Sequence, residues 1–362
     1  MTRPPPLLEI RDLTVTYRRR RGYADAAALS AVSLSVEAGQ TLGVVGESGS
    51  GKSTLGNAIL GLVAPVAGTI RFAGEDITHA SPPRRRRLTR DIQAVFQDPR
   101  GSLNPARTIG QALEEPLLAH QHASRAERRT RVVAALERVG LDGAAASRYP
   151  AHVSGGQLQR IAIARALMLG PRMLVCDEAV SSLDLSIQAQ VLNLMVNLQR
   201  ELALSYLFIS HDLAVIRHVS DRVAVLYRGR LMEAGLVADV CDRPAHPYTR
   251  ALLAAAPVPD PATQRSRHLT EPPAVEPVAA PPTDAGCPFR HRCPYALERC
   301  SDPLPVHPLP SGMVACHRHG ELTVKVRPRS VLRRGAGLQR GTEAGPAGTA
   351  GTDPAGPAFS NR

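Results

Sequence analysis

Eight residues constrain this chain more than any others: Gly46-Glu47-Ser48-Gly49-Ser50-Gly51-Lys52-Ser53. Glycines at this spacing let backbone N–H groups wrap an anion, and a helix that begins where the loop ends adds partial positive charge. The apolar run TLGVV before the loop reads as a strand and STLGNAILGL after it as a helix, the context such a loop needs in order to bind phosphates. Lys52 is then expected to reach the terminal phosphates and Ser53 to ligate Mg²⁺, with Gly46 to Thr54 forming the ATP-binding turn. A glycine turn could match by chance, but the lysine argues against it. Lys52 and Lys325 are the only lysines among 44 basic residues, so random placement would put one at position 52 with a chance of 2 in 44. A compact ammonium is what a phosphate cradle requires.

A second acidic element completes the chemistry. Met173 to Cys176 reads as a buried strand ending in Asp177-Glu178, which puts adjacent carboxylates at the carboxyl edge of a sheet, where α/β proteins bind ligands. Asp177 is expected to hold Mg²⁺ directly or through water, and Glu178 to orient or deprotonate an attacking water. An acidic pair at a strand end is often only a helix cap, so the pair gains its meaning from the upstream loop.

The rest of the chain supplies an architecture. LLEIRDLTVTY and LSAVSLSVEAG alternate apolar and polar residues and read as antiparallel strands. From about 105 to 150 the pattern is helical, with Val132, Val133, Leu136, Val139 and Leu141 near the helical period. Strand and helix then alternate through MLVCDE, 187–202 and YLFIS, as a parallel sheet requires. Beyond about Cys241 the chain is Pro-rich, and after about Arg333 it is Gly, Ala and Thr without apolar period, which reads as disorder.

Three further segments make the chain resemble the ATP-binding subunits of the ABC transporter family. Ser154-Gly155-Gly156-Gln157 before LQRIAIARAL is similar to the family's signature motif, a helix terminus offered to the γ-phosphate of a second subunit. Gln97 in VFQDP resembles the loop that senses the γ-phosphate, contributes to the Mg²⁺ site and joins the core to the helical insertion. His211 in ISHDL resembles the switch histidine, and Ser182-Leu183-Asp184 the loop that crosses the dimer interface. The resemblance makes Glu178, His211 and Gln97 the catalytic set, and Asp184 and Ser154 to Gln157 parts of the ATP site. Tyr17 stands where the family stacks an aromatic on adenine, although a core tyrosine at a strand end fits equally. Ala179-Val180 departs from the proline and small polar residue common after the glutamate.

The implied fold is α/β: a P-loop NTPase core with a parallel sheet, an N-terminal antiparallel β subdomain, a helical insertion at about 98–168 and an irregular Cys/Pro-rich C-terminal extension. The implied domains are 1–240 for nucleotide binding, 241–325 for the extension and 326–362 for a disordered tail. Within the family, SLNPARTIGQALEEPL, SIQAQVLNLM, PAHPYT with RALLAAAP, and GCPFRHRCPYALERC through ACHRHG resemble the oligopeptide/dipeptide/nickel import branch. Peptide import is therefore the leading reading, with nickel or another small solute as the alternative. A soluble ATPase acting on nucleic acid or the ribosome is a second alternative, disfavoured by the lack of a long coiled coil or of two ATPase halves.

The resemblance implies partners: a second ATPase subunit, identical or related, two membrane permease subunits and, indirectly, an extracytoplasmic solute-binding protein. No apolar run approaches a membrane span and MTRPPPLLEI lacks a signal-peptide core, so a peripheral place on the cytoplasmic face of the membrane is expected. The formal charge of +12 is not read as nucleic-acid binding, because Arg18 to Arg21 and Arg84 to Arg87 lack interleaved aromatics and read as solvated loops. Cys287, Cys293, Cys300 and Cys316 crowd together among prolines 288, 294, 303, 305, 308 and 310, a segment that gains most from a ligand that staples it. Some members of the resembling branch carry a [4Fe–4S] cluster there, which the resemblance extends to these four positions. His291, His307, His317 and His319 lie near enough in sequence to complete a zinc site instead.

Overall fold

The central apolar strand, β3 (Thr41–Val45), is buried along its whole length, as a strand covered on both faces must be. The structure, a computed structural model, describes residues 5–17, 26–120, 123–255 and 286–322. All of these belong to one unit spanning 1–326, and a second unit, 327–362, lies outside the described residues with the expected disordered tail. Arg18 to Arg21 also lie outside them.

Two sheets form the core. β1 (Leu8–Tyr17) pairs antiparallel with β2 (Ala26–Val36) and with β4 (Ala67–Phe72), whose other edge carries the short β5 (Glu75–Asp76). This is the antiparallel subdomain that the alternating N-terminal pattern implied. Among the described residues the larger sheet has eight strands. β6 (Ile92–Phe96), β7 (Met173–Asp177), β8 (Ser205–Ile209), β3 and β9 (Arg222–Tyr227) run parallel, and β10 (Arg230–Leu236) turns back against β9. One row of paired residues crosses four of them: Phe96, Asp177, Ile209 and Val44. The loops that leave these strands therefore start side by side, and they are the loops that carry Gln97, Glu178, His211 and the glycine-rich turn.

Helix α1 (Lys52–Leu60) follows that turn and α2 (Pro82–Leu88) follows β5. The insertion between β6 and β7 contains α3 (Ile109–His120), α4 (Arg125–Arg138) and α5 (Gly155–Leu167), and its apolar faces bury Ile109, Leu113, Val132, Leu136, Leu158 and Ile161. Ser124 starts α4 with a capping box in which its hydroxyl accepts from the Glu127 N–H and the Glu127 carboxylate accepts from the Ser124 N–H. α6 (Leu185–Leu202) and α7 (Leu213–Val219) alternate with the strands that follow. α8 (Val237–Asp242) and α9 (Pro247–Ala255) close the core.

Two regions differ from the sequence reading. Arg84 to Arg87 are not a solvated loop: they lie on α2, and Arg85 is half-buried, donating to the carbonyls of Ile59, Ile77 and Thr78. Its long side chain ties the end of α1, at Ile59, to the segment after β5, at Ile77 and Thr78, a link that periodicity does not register. The extension is also more regular than expected. Its β11 (Val306–Leu309) and β12 (Gly312–Ala315) form a hairpin, and β12 joins the open edge of β10. Pro308 is tolerated because β11 is the outermost strand and need not donate outward.

Gly43 marks the closest approach of helix to sheet. A Cβ there would lie 2.4 Å from Ile216 Cγ2 and 2.6 Å from Ser220 Oγ, so α7 could not keep its seat over β3. Gly43→Val is expected to lower the unfolding free energy by about 1–3 kcal/mol in urea titration. Unchanged stability would show that α7 is free to shift.

Candidate nucleotide site

Gly51 caps α1 in the left-handed region, at φ 101°, and supplies no side chain to the helix N-terminus, whose first turn also lacks acidic residues. The N–H groups of that turn are thus left to an external acceptor, and the helix dipole favours an anion there. Lys52 opens the helix almost fully buried, and its Nζ donates to the carbonyls of Gly46 at 2.8 Å and Glu47 at 3.0 Å. Burial lowers the affinity of its amine for a proton, and the carboxylates of Glu178, Asp177 and Glu47 oppose that effect.

The neighbouring serine turns towards the next strand but one. Ser53 Oγ donates to Asp177 Oδ1 at 3.1 Å. Burial raises the Asp177 carboxyl above its ordinary range, the Ser53 hydroxyl counters this, and Glu178 adds to it. A carboxylate beside a hydroxyl offers oxygen ligands to a hard divalent cation. Glu178 itself sits at φ 50°, a costly conformation for a side-chain-bearing residue and one that functional sites retain. Its N–H donates to the Ile209 carbonyl and its carbonyl accepts from the Ser181 N–H and hydroxyl, so the strained turn is fastened on both sides. Glu178 Oε1 lies 3.4 Å from His211 Nδ1, and His211 is half-exposed at the mouth of the site.

The other expected residues fall around this centre. Tyr17 is 44% exposed and its hydroxyl lies 3.4 Å from Thr54 Oγ1, beside the first turn of α1 rather than in the core. Gln97 accepts at its carbonyl from Ser182 Oγ at 3.4 Å and lines a cleft of about 860 Å³ that also takes in Asp177, Glu115 and Arg165. Ser154 and Gln157 bond to each other in a capping box at the start of α5, and Asp184 accepts from the Ile187 N–H at the start of α6. Gly156 brings those two helix starts together, since a Cβ there would meet Ile187 Cγ2 at 2.5 Å. The polar bonds of Ser154, Gln157 and Asp184 are thus spent within their own helices, whereas Lys52, Ser53, Asp177, Glu178 and His211 form one group.

Four residues that the sequence reading missed reach this site or support what does. Tyr248 Oη accepts from the Glu47 N–H at 3.0 Å, and Arg292 Nη1 bonds both oxygens of the Glu47 carboxylate at 2.8 Å. Glu233, buried on β10, accepts from the N–H groups of Ala245 and His246, and His246 Nδ1 accepts from the Tyr248 N–H. Tyr248 and Arg292 lie 201 and 245 residues from Glu47, so no local pattern could link them, although PAHPYT stood out as a segment.

Cys287, Cys293, Cys300 and Cys316 line one small cavity with His246 and His317. Burial pushes the thiols of Cys287 up to about 12 and Cys293 up to about 11. Among the described residues no three His, Cys, Asp or Glu side chains close to metal-holding geometry. The donor set nevertheless suits a thiolate-bound centre. The buried Nε2 atoms of His246 and His317 lack hydrogen-bond partners there. His291 does not line this cavity, and the rings of His307 and His319 pack together elsewhere at 5.2 Å.

An uncapped helix terminus with a buried lysine, a serine–aspartate pair and a strand-end glutamate beside a histidine define a P-loop ATPase. The ABC transporter pattern matches residues 29–181, and the oligopeptide/dipeptide transporter C-terminal region matches 232–300. The chain is 49% identical to the di/tripeptide transport ATP-binding protein DppF of Pseudomonas aeruginosa, over 87% of this chain and 98% of that protein. It is 46% identical to the oligopeptide transport ATP-binding protein OppF of Escherichia coli, over 89% of this chain and 97% of that one. Among solved structures, the dimeric ATP-binding cassette MJ0796 bound to ADP and Pi is 28% identical, with a TM-score of 0.58 over 64% of this chain and 98% of that chain. The chain belongs to the ABC transporter ATP-binding subunits, in the oligopeptide/dipeptide branch.

Proposed function

We propose that this chain hydrolyses ATP to power import of oligopeptides or dipeptides through a membrane permease. The observation that carries this is the meeting of Lys52, Ser53, Asp177, Glu178 and His211 at one sheet edge, in a chain whose C-terminal region matches that of peptide transporters. The N–H groups of α1 receive the phosphates, and Lys52 moves from the carbonyls of Gly46 and Glu47 to the terminal phosphate oxygens. Ser53, Asp177 and Gln97 would hold Mg²⁺, which would supply positive charge against that of the phosphates. Glu178 orients the attacking water and accepts its proton, while His211 bonds to the γ-phosphate side of the site. Tyr17, beside Thr54, is placed to stack on the adenine.

Ser154 to Gln157 and Asp184 serve a second subunit. Their N-terminal turns lie together at the starts of α5 and α6 and hold no bond to the phosphate loop of their own chain, which supports a composite site shared between two ATPase subunits, identical or related. The cleft beside Gln97, walled by α3 and α5, is the surface through which the permease pair is driven, and the solute-binding protein acts from the far side of the membrane. Among the described residues no helix is long and apolar enough to cross a membrane. This fits a peripheral place on the cytoplasmic face. The four cysteines hold a [4Fe–4S] cluster, for which a thiolate set is the usual ligand, or zinc.

Glu178→Gln should trap an ATP-bound dimer on size-exclusion chromatography, alone or with a related ATPase subunit, and His211→Ala should lower turnover by about 10²-fold or more with ATP affinity retained. A Glu178→Gln variant that binds ATP but never pairs would contradict the composite site. After anaerobic purification, a brown iron-bearing protein supports the cluster and a colourless zinc-bearing one the alternative. Metal-free folded protein with four freely reactive thiols would contradict both.

A further inference from the structure

The phosphate-binding loop is tethered at one residue more than at any other. Ser48 and Gly49, at its tip, are exposed, and a Cβ on Gly49 would meet nothing within 4 Å. Glu47 is different. Its carbonyl accepts from Lys52 Nζ and from the Ser50 N–H at 3.1 Å, its N–H donates to Tyr248 Oη, and its carboxylate is held by Arg292. Two of these tethers are internal to the loop and α1. The other two come from the C-terminal segment, from residues with no part in phosphate chemistry.

Both outer tethers are rigidly mounted. Tyr248 lies in the first turn of α9, and its ring lies 4.5 Å from that of Tyr227 and 5.3 Å from that of Phe289. A relay of bonds sets its height: the Glu233 carboxylate accepts from the N–H groups of Ala245 and His246, and His246 Nδ1 accepts from the Tyr248 N–H. The Arg292 guanidinium lies 5.7 Å above the Phe289 ring, in a short 3₁₀ turn that spans Arg290–Arg292 and runs into Cys293. Each tether adjoins the cysteine cavity, since His246 and Pro247 precede Tyr248 and Cys293 follows Arg292, and all three line it.

We propose that Tyr248 and Arg292 are positioning residues for ATP, acting through Glu47 to hold the phosphate-binding loop in its anion-receiving shape. The Arg292–Glu47 pair is partly exposed, with side-chain exposures of 21% and 41%. A pair so exposed adds little to fold stability, so its value lies in where it puts the loop. The Tyr248 hydroxyl is the acceptor for a backbone N–H, and without it that N–H loses its protein partner. A loop freed at Glu47 must be re-ordered by each incoming nucleotide, and that ordering is subtracted from binding.

The proposal rests on the ATPase reading, and the test separates the two. Equilibrium binding of a fluorescent ATP derivative with Mg²⁺ is measured on the full chain, alongside its melting temperature. Tyr248→Phe and Arg292→Gln are expected to weaken binding about threefold to tenfold each, with the melting temperature unmoved in Arg292→Gln and lowered by no more than a few degrees in Tyr248→Phe. Arg292→Lys should recover part of the loss, and adding Glu47→Gln to Arg292→Gln should cost nothing further, as coupled partners require. Unaltered affinity in all variants overturns the proposal, and so does a loss in Arg292→Gln that tracks a falling melting temperature or that adds in full in the double variant. If the wild-type chain binds no ATP, the ATPase reading itself fails. If wild type binds and Lys52→Ala does not, that reading stands whatever the other variants do.

Discussion

Lys52 places a positive charge where only 5% of its surface meets solvent, and an ammonium so placed needs partners close at hand. The chain supplies them from distant stretches. The carbonyls of Gly46 and Glu47 come from the loop after β3, and the carboxylates of Asp177 and Glu178 from the end of β7. To bring these together, β3 and β7 must flank β8 in register, which the row Val44, Ile209, Asp177 achieves. That register in turn requires apolar strands covered on both faces, which is why β3 and β8 contain no exposed position. The architecture thus follows from keeping one charge buried and compensated.

Strain and hydrogen bonding divide the labour around that charge. Glu178 takes a left-handed backbone, and the bonds from Ser181 and to Ile209 hold it there. The carboxylate consequently faces His211 rather than continuing the strand's alternation. The C-terminal segment adds a third level. It extends the sheet by a hairpin, seats Phe289 among Tyr227 and Tyr248, and reaches back to Glu47. A segment that began as a composition shift is continuous in packing with the nucleotide site.

The sequence made some of this legible and concealed the rest for identifiable reasons. Strands β3, β7 and β8 and the glycine turn could be read because their signals are local: apolar runs, glycine spacing and a terminal acidic pair. The start of α5 was legible through the resemblance of Ser154 to Gln157 to a family motif, and the structure adds the reason it starts there, a capping box between Ser154 and Gln157. The three carbonyl partners of Arg85 were not, because they come from segments that share no period with it. Tyr248 and Arg292 were missed for the same reason, since their link to Glu47 crosses more than half the chain. The strands β11 and β12 were hidden by prolines, which argue against a strand unless it is known to lie at an edge.

The central claim is that α1 and the glycine turn, served by Lys52, form an ATP site. Isothermal titration of ATP into the full chain, with and without Mg²⁺, tests it most directly. One site per chain, tightened by Mg²⁺ and abolished in Lys52→Ala, is the predicted result. Wild-type protein that takes up no nucleotide, or a Lys52→Ala variant that binds as well as wild type, would contradict it.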